Sequence, residues 1–180
     1  LLYDAFSRIP QATGEAIEYW DVSLMDVENE IIIPIFPPQE RGISIGNPSF
    51  AQTNDAFFVF DYIDYNDGTS EIWGVDLFKG EARFIAENGS SLAYPRYSPN
   101  DSRLVFERFE QNQNNVLQIP LAAGKVEAAG PEEAFVTDGQ RPTWFAVGLR
   151  ADAADQPVVA TPDFFALEQN YPNPFNPTTT

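Results

Sequence analysis

Large apolar side chains fill both alternating sets of positions wherever this chain reads as strand. Across residues 56–63, Phe58, Phe60 and Tyr62 alternate with Phe57, Val59 and Asp61. A sheet with one wet face alternates apolar with polar, so this doubled pattern predicts a sheet covered on both sides. Leu104-Val105-Phe106 shows the same doubling. Asn54-Asp55 and Asn100-Asp101 precede these runs and predict turns. Glu71 to Leu77 reads as the next strand and Ala82 to Ala86 as another. Upstream of each set lies a Pro-x-aromatic segment, which proline keeps out of helix and pushes towards an extended form. Each unit therefore reads as four short strands.

The units repeat. Pro48, Pro95 and Pro142 are spaced 47 residues apart, and each is followed two positions later by an aromatic, Phe50, Tyr97 and Trp144. Ile72 to Leu77 aligns with Val116 to Leu121, and Gly80 with Gly124. An incomplete earlier copy is legible too. Leu2-Tyr3-Asp4 answers Val59-Phe60-Asp61, and Tyr19 to Leu24 answers Ile72 to Leu77. A period of this length marks stacked supersecondary units. Radially stacked four-stranded blades bury both faces of every sheet, so the expected fold is all-β: a partial β-propeller of four-stranded antiparallel blades, about three of them visible, then an extended linker and tail. The chain begins at a second strand, and a ring needs about four to eight blades, so further blades are expected upstream in a longer protein. Arg141 to Leu149, lacking the Ser-Pro-Asp turn, reads as a final inner strand.

Pro95-Arg96-Tyr97-Ser98-Pro99-Asn100-Asp101 followed by Leu104-Val105-Phe106 resembles the repeat of the TolB-type (WD-like) propeller family, Pro-x-Trp-Ser-Pro-Asp-Gly and then Ile-Ala-Phe. Pro48 to Leu77 is similar, with Ala51 to Asp55 in place of the Ser-Pro turn. The likeness covers most of residues 1–148. It departs at the missing turn glycine of both complete units and at Pro120, where the family carries aspartate. The domain reading is a TolB-like propeller over 1–149, a linker over 150–163 and a distinct tail over 164–180.

That tail contains Asn170-Tyr171-Pro172-Asn173-Pro174-Phe175-Asn176-Pro177. Three prolines within six residues forbid helix and continuous ladder pairing, and a proline-rich peptide ligand would share that composition. The wording resembles the opening of the type A carboxyl-terminal sorting domain of the type IX secretion system, found in Bacteroidetes and related bacteria. The resemblance implies export across the periplasm and outer membrane, with the secretion machinery as partner and a secreted or cell-surface destination. Only the entry segment of such a domain is present.

Composition narrows the partners. Ten Lys and Arg against 27 Asp and Glu give a formal charge of −17, a field that disfavours nucleic acid and anionic membranes. No apolar run approaches the roughly 20 residues of a membrane helix, so no membrane insertion is expected. Without cysteine or histidine, the visible residues supply no disulfide, no Ser-His-Asp triad, no Cys-His pair and no imidazole ligand. Carboxylate-pair chemistry stays open, although the fragment itself reads as non-catalytic. Asp61, Asp64, Asp67 and Glu71 crowd one inter-strand loop, but Gly68 is misplaced for a calcium loop. The acidic turn is preferred over a calcium site, and no other cofactor is expected. Trp20, Trp73 and Trp144 recur at repeat positions and read as blade packing in preference to sugar stacking.

If a ligand binds, period-two alternation directs attention to the inner strands. Pro48 and Phe50 are expected to pack between blades with Ser49 turned to the central channel. Arg96 and Thr143 are its counterparts, and Asn47, Tyr94 and Arg141 fall at the channel mouth. Arg96 and Arg141 stand out in so acidic a chain as groups for an anion, the plainer alternative being neutralisation of neighbouring carboxylates. Three functions remain open: a secreted binding platform for a protein, peptide or glycan; an accessory propeller of a secreted hydrolase whose catalytic domain lies upstream; and a TolB-like partner in the cell envelope.

Overall fold

The computed structural model of the protein describes residues 1–144. The described residues form strands joined by turns, in three sheets. β1 (Leu2–Pro10), β2 (Ala16–Asp26) and β3 (Ile31–Pro34) make the first sheet, in that order. β4 (Ile43–Phe50), β5 (Phe57–Asp64), β6 (Thr69–Asp76) and β7 (Glu81–Glu87) make the second. β8 (Arg96–Tyr97), β9 (Arg103–Glu110), β10 (Gln113–Pro120) and β11 (Glu133–Thr137) make the third. Every pairing is antiparallel between strands consecutive in sequence. Each sheet is thus a local meander, and the three are successive blades.

The doubled apolar pattern of β5 is explained by what lies on either side of it. Phe58 and Phe60 on one face pack with Val22 of β2, Leu2 of β1 and Phe36 of the inter-blade segment. Phe57 and Val59 on the other face join Tyr97, Leu104, Phe106, Leu117 and Ile119 of the third blade. The middle blade is sandwiched, and two separate apolar cores hold the three sheets together. Tyr97 occupies in the third blade the position of Phe50 in the second, and both face the preceding blade.

The turns form as their residues predict. Asn54 Oδ1 accepts the Ala56 N–H at 3.0 Å, and Asn100 Oδ1 accepts the Ser102 N–H at 3.2 Å, the Asx geometry that favours Asn before a strand. Asp101 adds a tie between blades. Its buried carboxylate accepts the backbone N–H groups of Gln52 and Thr53 at 2.6 and 2.8 Å, so one blade's turn holds its neighbour's.

Three expectations are altered. The inner strand of the second blade is longer than its Pro-x-aromatic segment, beginning at Ile43, and breaks register between Gly46 and Ser49. In the third blade it shortens to Arg96–Tyr97. The alignment of Tyr19–Leu24 with Ile72–Leu77 does not survive. Trp20 lies on the face of β2 that carries Val22 and looks to the following blade, whereas Trp73 looks to the preceding one. An odd-numbered slip reverses the face of every side chain in a strand, so Trp20 is no counterpart of Trp73. It packs edge-on against Phe6 at 5.6 Å and remains 45% exposed. Trp144 stacks on Phe135 at 5.8 Å.

Close blade packing also explains Gly74. A Cβ there would fall 2.7 Å from Val126 Cα and 3.0 Å from its carbonyl oxygen, backbone atoms that cannot swing aside. Gly74→Ala is expected to cost about 1–3 kcal/mol, read as a lower urea midpoint. An unchanged midpoint would mean that the two blades do not meet here.

Candidate functional site: a cationic cleft on the inner strands

A carboxylate on each of β1, β5 and β9 reaches forward to the segment that follows its own sheet in sequence. Asp4 on β1 accepts the Asn47 N–H at 3.1 Å, Asp61 on β5 the Tyr94 N–H at 3.2 Å, and Glu107 on β9 the Arg141 N–H at 2.7 Å. The three acceptors stand at equivalent positions of the repeat, and the three donors are the residues before Pro48, Pro95 and Pro142. All three donors adopt left-handed backbone angles, with φ of 52°, 48° and 46°. That region is costly for a side-chain-bearing residue, about 1–3 kcal/mol, and proline restricts its predecessor further. The carboxylate bond and the covering blade hold the chain there.

Asp61 is the most enclosed of the three. It has no exposed surface and accepts from the Asn47 side chain at 2.7 Å and from the Ala93 and Tyr94 N–H groups at 3.2 Å. Burial pushes its pKa up to about 6, against the opposing pull of those hydrogen bonds and of the Arg96 charge.

The left-handed residues turn their side chains to one place. Asn47, Tyr94, Arg96, Arg141, Pro142 and Thr143 line a cleft of about 260 Å³. Five of the six candidate ligand residues therefore meet in one site. Ser49 does not line it; it pairs with Val59 beyond the register break. Arg141 lays its guanidinium over the Tyr94 ring, 5.2 Å from the centroid. Arg96 Nη1 donates to the carbonyl of its neighbour Pro95 at 3.0 Å.

The charge environment of these two arginines is distinctive. Arg8, Arg41, Arg83, Arg103 and Arg108 each lie within ion-pair distance of a carboxylate. Among the described residues, Arg96 and Arg141 do not. Neither is ion-paired among the described residues, although the Arg96 charge acts on Asp61, and the cleft keeps two guanidinium groups with donor capacity to spare.

The acidic loop does not converge. Asp61 faces the third blade, Asp64 accepts the N–H groups of Asn66 and Asp67 at 2.8 and 3.3 Å, and Glu71 is engaged by Trp73 Nε1 at 2.7 Å. Among the described residues no three carboxylates gather as a metal site would require. The linker, the sorting-motif residues and most of the expected final inner strand lie outside the described residues; its described part, Arg141–Trp144, is not paired as a strand. The carboxylate latches escaped sequence reasoning. Their signal was an acid recurring at Asp4, Asp61 and Glu107, but nothing local says that its partner lies 43, 33 or 34 residues away.

Searched against protein-family models and against curated protein sequences, the chain matches none. Among solved structures it is similar to TolB from Acinetobacter baumannii, with a TM-score of 0.55 and 14% identity, covering 74% of this chain and 30% of that one. It is also similar to the β-propeller domain of the Trilobed protease from Pyrococcus furiosus, with a TM-score of 0.51 and 11% identity, covering 75% of this chain and 40% of that one. The chain thus spans less than half the length of either. At these identities the likeness speaks for fold alone, and with the geometry above it establishes that residues 1–144 are consecutive antiparallel blades of a β-propeller fold.

Proposed function

We propose that this chain is part of a secreted, non-catalytic binding propeller whose inner-strand cleft receives an anionic group of a protein, peptide or glycan. The observation that carries the reading is the pair Arg96 and Arg141, without carboxylate partners among the described residues of a chain of charge −17, converging on one cleft. A guanidinium fork suits a carboxylate, sulfate or phosphate oxygen pair. Tyr94 adds a rigid aromatic wall. Export by the type IX secretion machinery, supported by the wording of residues 170–177, brings such a module to the cell surface or medium.

The test is a panel of acidic and neutral peptides and oligosaccharides screened against the full chain. A carboxylate- or sulfate-bearing ligand should bind, and Arg96→Ala and Arg141→Ala should each weaken it about tenfold or more, as loss of a charge-assisted hydrogen bond does. Undiminished binding by the folded double variant would sink the reading. A second reading, an accessory propeller of a secreted hydrolase, draws support from the similarity to a protease's propeller domain. An upstream nucleophile or metal motif in the same open reading frame would favour it.

A further inference from the structure

A second pocket lies on the far side of the middle blade from the third blade, where the segment linking the first two blades crosses it. Ile45 and Phe60 form its buried floor, and Phe36, Tyr62 and Trp73 its half-buried walls, with Gln39 at the rim and a volume of about 180 Å³. The register explains why the rings meet. Phe60 pairs with Trp73 and Tyr62 with both Ile45 and Glu71, so all project from one face. Tyr62 and Trp73 stand 6.2 Å apart at 51°, and Phe36 closes on Phe60 at 5.0 Å. Pro37 and Pro38 stiffen the segment that presents Phe36. Glu71 Oε2 accepts the Trp73 Nε1 proton at 2.7 Å and fixes the indole.

The electrostatics of the pocket have one sign. No lysine or arginine lines it. Glu71 is directly across the ladder from Tyr62, and Asp64 is two residues along the same strand and so on the same face. The Tyr62 phenol is raised above its ordinary value by burial and then by the charges of Asp64, Glu71 and Glu40. Aromatic rings gathered around a compact space, with carboxylates beside them, attract a large, weakly hydrated cation. A lysine ammonium would lose more hydration on entering than the rings return, whereas a methylated ammonium carries its charge on an apolar surface that the floor also accepts. Gln39 Nε2 is already committed to the Pro37 carbonyl at 2.7 Å, which leaves its side-chain oxygen as an acceptor for a hydroxyl at the rim.

From this arrangement we infer that the pocket formed by Phe36, Phe60, Tyr62 and Trp73 binds a quaternary ammonium group. The chemistry is that of a choline-type headgroup, supplied either free in solution or on a lipid. It is independent of the cationic cleft, which takes the opposite charge on the other side of the blade.

Isothermal titration of the full chain with choline, and with its neutral isostere 3,3-dimethylbutan-1-ol, separates charge recognition from simple apolar filling. Choline should bind saturably, with the isostere about tenfold weaker, the size of a partly desolvated cation–π contribution. Trp73→Leu should abolish binding, and Glu71→Gln should weaken it several-fold, with near-ultraviolet circular dichroism confirming that both variants are folded. Trp73→Phe, which keeps an aromatic face, should retain part of the affinity. Sedimentation with phosphatidylcholine vesicles, reversed by free choline, would assign the lipid source; choline binding without sedimentation would assign the soluble one. No choline binding, equal affinity for the isostere, or unchanged binding by folded Trp73→Leu would each overturn the inference.

Discussion

Truncation of Phe58 to alanine is expected to cost about 3–5 kcal/mol of stability, the range for deleting a buried phenylalanine. Phe58 has no exposed surface and meets three other rings, Phe36, Phe50 and Phe60, with centroids 6.4, 6.4 and 6.0 Å away. These come from the inter-blade segment, β4 and its own strand, so the cavity would open at the seam between the first two blades. Paired strands on both sides resist collapse into it. Phe78→Ala is the control, since that ring is 86% exposed and its loss should fall within about 0.5 kcal/mol. Guanidinium denaturation of the full chain reads both. A cost below about 1 kcal/mol for Phe58→Ala would mean that this seam is not the core described here.

The second large effect concerns Asp61, and its sign depends on pH. Its folded-state pKa of about 6 exceeds the ordinary value of 3.8. The folded protein therefore binds the proton more tightly than the unfolded chain. Stability from this group is fully present below pH 3.8 and is lost as pH rises through about 6. The difference corresponds to about 3 kcal/mol. Asp61→Asn removes the ionisation but keeps a carbonyl oxygen for the Ala93 and Tyr94 N–H groups. The stability gap between Asp61→Asn and the parent should therefore shift in favour of the variant between pH 4 and pH 7, by about 3 kcal/mol at most. Asp61→Ala should behave differently. It leaves the Ala93 and Tyr94 N–H groups and the Asn47 amide without their acceptor, at a cost of about 2–4 kcal/mol. Urea midpoints across that pH range distinguish the two variants. A parallel pH response in the parent and Asp61→Asn would show that Asp61 is not the buried titrating group.

Both predictions concern the joints between blades, and the seams were only half legible beforehand. That β5 is covered on both faces could be read from Phe57-Phe58-Val59-Phe60, because alternation in a strand assigns neighbouring side chains to opposite faces whatever the partners are. Which partners cover it could not. Phe36 joins the core from a segment with no strand pattern of its own, and Val126 meets Gly74 from a loop of the third blade. Trp20 shows the same boundary from the other side. Its likeness to Trp73 was a match of composition along one strand, and a register difference invisible in that strand alone turned it to the opposite face.

The cationic cleft divides similarly. The 47-residue spacing of Pro48, Pro95 and Pro142 marked the flanking residues as equivalent, and Asn47, Tyr94, Arg96, Arg141 and Thr143 do line one space. Ser49 holds the ladder position of Arg96, opposite Val59 as Arg96 is opposite Val105, yet it is not among the residues that line the cleft. The left-handed turn before each proline had no local cue, since Asn, Tyr and Arg have little else in common. It is imposed by an acid on the preceding blade. Periodicity along the chain thus determined the strands, their doubled apolar faces and the equivalence of the repeats, because these follow from local stereochemistry and from solvent. Tertiary structure alone decided the left-handed backbone, the pKa of Asp61 and the convergence of Arg96 and Arg141 on one cleft, because each arises between residues distant in the chain that only packing brings within hydrogen-bond or Coulomb range.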